Sequence, residues 1–134
     1  MPTIEGGCFC GAVRYRASAA PTTSLICHCR SCRRAAAAPA APWVTFERAA
    51  FALTAGELSL FRSSPPVRRG FCARCGTPLT YEHDERPGEI DVTTASLDDP
   101  EALPPTYHIQ LGDDLSWLKF GDGLPAYRGW KREG

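Results

Sequence analysis

Seven cysteines in a chain of 134 residues constrain the possible fold more than any other feature of the sequence. By spacing they form three groups: Cys8 and Cys10 as CxC, Cys27, Cys29 and Cys32 as CxCxxC, and Cys72 and Cys75 as CxxC followed by Gly76. An odd number suits a disulfide framework poorly, because one thiol is left over. Cysteines one or two residues apart on a tight turn can instead occupy two corners of a tetrahedral zinc site. The spacing therefore predicts metal ligands.

Spacing alone leaves two ways to divide these cysteines between metals. In the first, two pairs close a four-cysteine structural site, and the CxCxxC trio holds a second zinc whose fourth position stays open, as in catalytic zinc sites. In the second, one zinc ribbon takes its ligands from two CxxC segments, namely Cys29, Cys32, Cys72 and Cys75. That division leaves Cys8, Cys10 and Cys27 without a site.

Charge and hydropathy exclude several classes of protein. Fifteen basic residues balance fifteen acidic ones, so the chain has no overall positive field that would favour nucleic acid. The N-terminal residues lack the basic and apolar regions of a signal peptide, and no stretch approaches the roughly 18 apolar residues of a membrane span. We expect a cytoplasmic protein with one domain over residues 1–134 and no membrane partner.

Frequent glycine and proline predict a mainly β protein. Twelve of each divide the chain into short segments, and no segment keeps a 3.6-residue apolar period over ten positions. Alternating or β-branched and aromatic segments predict strands at 12–16, 43–46, 51–53, 58–61, 78–81, 90–94 and 107–111. Two short helical turns are expected, one over the alanine-rich residues 31–38 and one after an aspartate cap at 98–101.

Three motifs resemble those of the glutathione-dependent formaldehyde-activating enzymes, a family also described as the GFA or CENP-V type domain. The motifs are GCFCG at 7–11, CHCRSCRR at 27–34 and FCARCGTPL at 71–79. Weaker similarities are SLDDP at 96–100, HI at 108–109, SW at 116–117 and DGLP at 122–125. The resemblance runs from about residue 4 to residue 127, and all seven cysteines match in order and spacing.

The resemblance implies an Mss4-like assembly of antiparallel sheets pinned by zinc. It places one structural zinc on Cys8, Cys10, Cys72 and Cys75. It places a second, exchangeable and catalytic zinc on Cys27, Cys29 and Cys32. The implied activity is that of a carbon–sulfur lyase, which condenses glutathione, or a similar small thiol, with formaldehyde or a related aldehyde to an S-hydroxymethyl adduct.

Several other side chains are candidates for this chemistry. The two carboxylates of glutathione suit arginine side chains, either Arg30, Arg33 and Arg34 beside the open site or Arg68 and Arg69 before the last CxxC. His28 is a fourth ligand, a proton shuttle, or a side chain directed away from the metal. Trp43, Trp117 and Phe120 form either a pocket wall or part of the core.

Two other functions compete with an enzyme of this type. One is a non-catalytic, zinc-binding module of Mss4-like fold that recognises another protein. The other is a redox protein that uses Cys29 and Cys32 as a dithiol couple. The βαβ pattern that accompanies thioredoxin-like CxxC motifs is missing, which counts against the redox protein.

Overall fold

The computed structural model describes residues 3–131, in which ten short strands dominate. The strands are β1 Ile4–Gly7, β2 Arg14–Ala17, β3 Thr23–Cys27, β4 Ala41–Glu47, β5 Phe51–Ala55, β6 Ser59–Ser64, β7 Val67–Phe71, β8 Pro78–His83, β9 Glu89–Thr93 and β10 Tyr107–Ile109. One α-helix is described, α1 at Arg30–Ala36. Four single 3-10 turns occupy Arg48–Ala50, Thr94–Ser96, Pro100–Ala102 and Leu111–Asp113.

The strands form two sheets. The smaller sheet has the order β1-β2-β5, and the larger has the order β10-β3-β4-β9-β8-β7-β6. All pairs are antiparallel except β10 with β3, which is parallel. The predicted fold class, mainly β with antiparallel sheets and short helical turns, is confirmed.

The main hydrophobic core combines side chains from both sheets. Tyr15 of β2 and Phe51 of β5 belong to the same buried cluster as Val44 and Phe46 of β4 and Val92 of β9. Along β4 the core residues alternate with Trp43 and Thr45, as expected when successive side chains point to opposite faces of a sheet. The second face of the larger sheet is therefore available for other contacts.

Most of the predicted elements are present, with some shifts and three omissions. Strands lie at all seven predicted places, although β2 begins two residues later and β10 ends two residues earlier than expected. Strands β1, β3 and β7 were not predicted. Helix α1 covers most of the predicted segment and ends where Ala37 adopts a left-handed φ of 51°.

The predicted aspartate cap is wrong. Residues Pro100–Ala102 form a 3-10 turn, but Asp99 at its N-cap position makes no side-chain capping bond. Asp98 pairs with Arg14 instead, at 2.9 and 2.5 Å, which ties this turn to β2. Among residues 3–131, no helix has the length and apolar character needed to cross a membrane.

Candidate metal centres and the adjoining cavity

Four cysteines from distant parts of the chain meet in one cluster. Cys8 follows β1 and Cys10 lies on the next turn, while Cys72 and Cys75 lie between β7 and β8. Their sulfur atoms all lie within 4.8 Å of one another. The Sγ atoms of Cys8 and Cys10 are 3.6 Å apart, and those of Cys10 and Cys72 are 3.8 Å apart. Tetrahedral zinc at about 2.3 Å from each sulfur needs sulfur–sulfur separations of roughly 3.8 Å, so the donor set fits zinc.

The two turns that carry this cluster direct backbone N–H groups at the sulfurs. The amide of Val13 donates to Cys8 Sγ at 3.2 Å, and the amide of Cys75 donates to Cys72 Sγ at 3.4 Å. Gly76 adopts a φ of 81°, a conformation that glycine tolerates without strain. Hydrogen bonds from Thr77, first its hydroxyl and then its amide, lower the pKa of Cys75 to about 5. Cys75 therefore favours the thiolate, the form that binds metal.

The other three cysteines form a second cluster at the junction of β3 and α1. Cys27 ends β3, Cys29 is the N-cap of α1, and Cys32 lies in the first turn of the helix. Their sulfurs also lie within 4.8 Å of one another, and no further Cys, His, Asp or Glu of residues 3–131 joins them. The Cys29 side chain accepts a hydrogen bond from the Cys32 amide at 3.2 Å. This donor set fits a zinc ion with three protein ligands and one open position.

Hydrogen bonds inside the second cluster give its thiols different pKa values. The thiols of Cys27 and then Cys32 donate to the sulfur of Cys29, which places the pKa of Cys29 far below that of a free thiol. The same contact with Cys29 raises the pKa of Cys27. One thiolate is thus favoured even before a metal contributes. The zinc-ribbon division does not match this arrangement, because Cys29 and Cys32 group with Cys27 and not with the cysteines near β8.

A cavity of about 420 Å³ opens beside the second cluster. Cys27, Cys29 and Cys32 all line it, whereas none of the four cysteines of the first cluster does. Trp43 and Tyr107 also line it, so one of the aromatic candidates contributes to a pocket wall. Trp117 is 70% exposed and is not among the lining residues. A metal held by the three cysteines would therefore have its open position beside a half-open cavity large enough for a small peptide.

The three arginines of α1 do not line this cavity. Arg30 and Arg34 are exposed and Arg33 is half-buried, because Cys32 is the residue that α1 buries against the cluster. Each residue of a helix advances about 100° around its axis, so side chains one or two positions from Cys32 point elsewhere. The arginines that line the cavity are Arg69 of β7 and Arg86, which follows β8.

His28 points away from the sulfurs and joins a buried series of hydrogen-bonded side chains. Its Nε2 lies 2.9 Å from Nδ1 of His108, and Nε2 of His108 lies 2.8 Å from Oδ2 of Asp122. Both rings are buried, and Phe120 packs against them at 5.3 and 5.2 Å between centroids. Burial, followed by the neighbouring His108, lowers the pKa of His28. The sequence places His108 and Asp122 only in the weaker HI and DGLP similarities and does not predict their contact with His28.

Comparisons with known proteins identify the family to which the chain is similar. The family model described as "Glutathione-dependent formaldehyde-activating enzyme" matches residues 3–113. A curated protein of Halomonas elongata, provisionally named a glutathione-dependent formaldehyde-activating enzyme, is 27% identical over 126 residues, which cover 87% of this chain and 80% of that protein.

A crystal structure of a Rhodobacter sphaeroides protein from a structural-genomics programme has a similar fold. It superposes with a TM-score of 0.59 at 21% identity, over 92% of this chain and 98% of that one. The family match covers most of the chain, including all seven cysteines. The chain therefore belongs to the family of glutathione-dependent formaldehyde-activating enzymes.

Proposed function

We propose that this protein is a zinc-dependent carbon–sulfur lyase that condenses glutathione, or a closely related thiol, with formaldehyde. The observation that carries the proposal is the contrast between the two cysteine clusters. One has four sulfurs and closes a tetrahedral site, and the other has three sulfurs and opens onto the cavity. In this proposal Cys8, Cys10, Cys72 and Cys75 hold a structural zinc, and Cys27, Cys29 and Cys32 hold an exchangeable catalytic one.

The reaction joins the thiol sulfur to the carbonyl carbon of formaldehyde. The C=O π bond breaks as the S–C bond forms, and the proton lost from sulfur ends on the former carbonyl oxygen. No oxidant or reductant is consumed. A free thiol ionises near pH 8.5, so the site must favour the substrate thiolate at neutral pH. When bound at the three cysteines, zinc would supply that ionisation and could polarise a carbonyl.

The residues of the chain contribute position and exclusion of water. Cys27, Cys29 and Cys32 fix the point on the cavity wall at which the substrate sulfur arrives. Aromatic rings such as Trp43 and Tyr107 enclose the bound thiol and reduce its access to water. The prediction that Arg30, Arg33 and Arg34 bind the carboxylates of glutathione has weaker support, because Arg69 lies on the cavity wall and they do not.

We place the reaction in the cytoplasm. All seven cysteines are free thiols and none is arranged as a disulfide. Free cysteines of this kind suit a reducing compartment, where glutathione is the main small thiol.

Cobalt substitution combined with exchange NMR tests the proposed function. Cobalt bound by thiolates has intense charge-transfer bands, and millimolar glutathione should change those of the three-cysteine site. Exchange spectroscopy of glutathione mixed with formaldehyde should show faster formation of the hydroxymethyl adduct when the protein is added. Cys29→Ser should abolish both effects. An unchanged cobalt spectrum together with an unchanged exchange rate would favour the non-catalytic binding module.

A further inference from the structure

Strand pairing aligns a row of polar side chains along the floor of the cavity. Arg69 and Asp91 are each paired in register with Tyr81, from opposite sides. Residues paired directly across antiparallel strands point to the same face of a sheet. The full row crosses five strands and consists of Arg69, Tyr81, Asp91, Thr45 and Thr23, all of which line the cavity. Within the row, one anionic and one cationic side chain thus lie on either side of a phenol ring. Arg86 and Glu89, which pair with each other, also line the cavity.

Asp91 is a partly buried carboxylate that has no ion-pair partner among the described residues. Thr45 donates its hydroxyl hydrogen to Oδ1 of Asp91 at 2.6 Å, and Thr23 donates to the Thr45 hydroxyl at 2.7 Å. No Lys, Arg or His of residues 3–131 forms an ion pair with Asp91. The nearby Arg86 pairs with Glu89 at 3.2 Å, so its charge is already offset. A buried carboxylate in this state favours the arrival of a cation.

Arg69 carries the opposite charge to Asp91, and its guanidinium has an N–H group that makes no hydrogen bond within residues 3–131. Its Nε donates to Ser63 Oγ at 3.1 Å, and its central carbon lies 5.0 Å from the centroid of the Tyr81 ring. Its Nη1 is buried and has no hydrogen-bond partner within residues 3–131. The adjacent Arg68, by contrast, is paired with Glu82 and Asp84. Arg69 is therefore held in place beside the cavity with a donor left for an anion.

The row lies close enough to the three cysteines for one ligand to reach both. Tyr81, which belongs to the row, packs against the buried cluster that contains Cys27 and Cys32. The three cysteines and the row also line the same cavity. In glutathione, about seven covalent bonds join the γ-glutamyl α-carbon to the sulfur, a reach of roughly 8–9 Å. A thiol of this length can therefore extend along the cavity from the cysteines to the row.

We propose that the row binds the γ-glutamyl end of the thiol, with Asp91 accepting hydrogen bonds from its α-ammonium and Arg69 donating to its α-carboxylate. The inference rests on the proposed function, because it assumes that the sulfur lies at the three-cysteine site. The γ-glutamyl end carries both charges on one carbon, whereas the glycine end carries a carboxylate alone. The glycine residue is consequently dispensable for recognition.

Two dipeptides that each contain one half of glutathione test the orientation. γ-Glutamylcysteine should form the hydroxymethyl adduct with a KM within about threefold of that for glutathione, because the charge-assisted contacts are kept. Cysteinylglycine should be weaker by roughly tenfold or more, the loss expected for charged hydrogen bonds. Equal KM values for the two dipeptides would overturn the assignment while leaving the proposed function intact.

Binding of the sulfur-free γ-glutamylalanine, measured by ligand-observed NMR, separates the site from the reaction. Arg69→Gln and Asp91→Asn should each raise its Kd by roughly tenfold. The matched variant Arg68→Gln, on the same strand with the same loss of charge, should leave the Kd unchanged. Zinc content equal to the parent protein shows that each variant is folded, and Arg69→Lys should recover part of the affinity.

The two proposals fail in different ways. If γ-glutamylalanine does not bind the parent protein, or binds Arg69→Gln as it binds the parent, the row is not the site. If γ-glutamylalanine binds as expected but no thiol yields an adduct, the row stands and the proposed reaction is wrong.

Discussion

Replacing Cys75 by serine should damage this protein far more than replacing Cys29 by serine. Cys75 belongs to the cluster that joins the segment after β1 to the segment between β7 and β8, whereas Cys29 belongs to a cluster contained in the junction of β3 and α1. Both substitutions remove one sulfur ligand from a proposed zinc site. They differ in how much of the chain each site holds together.

The difference can be estimated from the length of chain that each cluster closes. Cys10 and Cys72 are 62 positions apart. A cross-link over such a loop lowers the entropy of the unfolded chain, which raises its free energy by about 4 kcal/mol at 25 °C. The same relation for the segment from Cys27 to Cys32 yields about 2 kcal/mol. Zinc binding itself is worth about 10–16 kcal/mol in small structural sites, against a net domain stability of about 5–15 kcal/mol. The four-cysteine site should therefore decide whether the chain folds.

Zinc analysis and thermal unfolding of the two variants provide the assay. Cys29→Ser should unfold cooperatively, retain the zinc of the four-cysteine cluster and lose its response to glutathione. Cys75→Ser should be insoluble, or soluble without a cooperative transition. Cys32→Ser is a second variant of the smaller cluster and should behave like Cys29→Ser. Equal damage from Cys75→Ser and Cys29→Ser, or greater damage from Cys29→Ser, would refute the division of the ligands and the loop argument together.

Three further predictions concern residues outside the clusters. Gly6→Ala should lower the free energy of unfolding by about 1–3 kcal/mol, because the added Cβ would collide with the buried Tyr15 side chain. Urea unfolding measures this change, and an unchanged midpoint would contradict the close contact between Gly6 and Tyr15. His28→Ala and His108→Ala should each lower stability, and a double-mutant cycle should show that their effects are not additive, since each leaves the other ring without its partner. Asp91→Asn should be more stable than the parent at pH 7, with an advantage that grows as pH rises from about 4. Burial raises the pKa of this carboxyl above its unfolded value near 3.9, so the folded protein disfavours the charge that forms over that interval. If the difference in stability between Asp91→Asn and the parent protein stays constant from pH 4 to pH 7, burial of the Asp91 charge is not the cause.

The fold was predictable where a strand carries its own apolar pattern. Val13 and Tyr15 alternate with arginines, and Trp43 to Phe46 is aromatic and β-branched, so both segments were recognised as strands. Strand β7 was missed because two arginines and a glycine fill its centre. The ion pairs of Arg68 and the stacking of Arg69 over a ring come from β8 and the turn after it, and no local window contains them.

The candidate site, too, was predictable only where its residues lie close together in the sequence. The cysteine groups were predictable because each one is a local motif, and the trio and the CxxC pair needed only short turns to bring their sulfurs together. The floor of the cavity was not predictable, since it depends on the register of five strands that are spread over residues 23–93. His108 and Asp122 were likewise brought to His28 by the parallel strand β10 and the segment after it.

The alternation along β4 and β9 has a consequence for how such a protein can diverge. Val44, Phe46 and Val92 fill the hydrophobic core, while Trp43 and Asp91, their neighbours along the chain, line the cavity on the opposite face. Substitutions at polar cavity positions such as Asp91 therefore change what the pocket accepts, while the main core on the opposite face keeps its packing. A duplicated copy of this gene could acquire a new ligand by a few exchanges at alternate positions of two strands, with its cysteine clusters and its main core inherited unchanged.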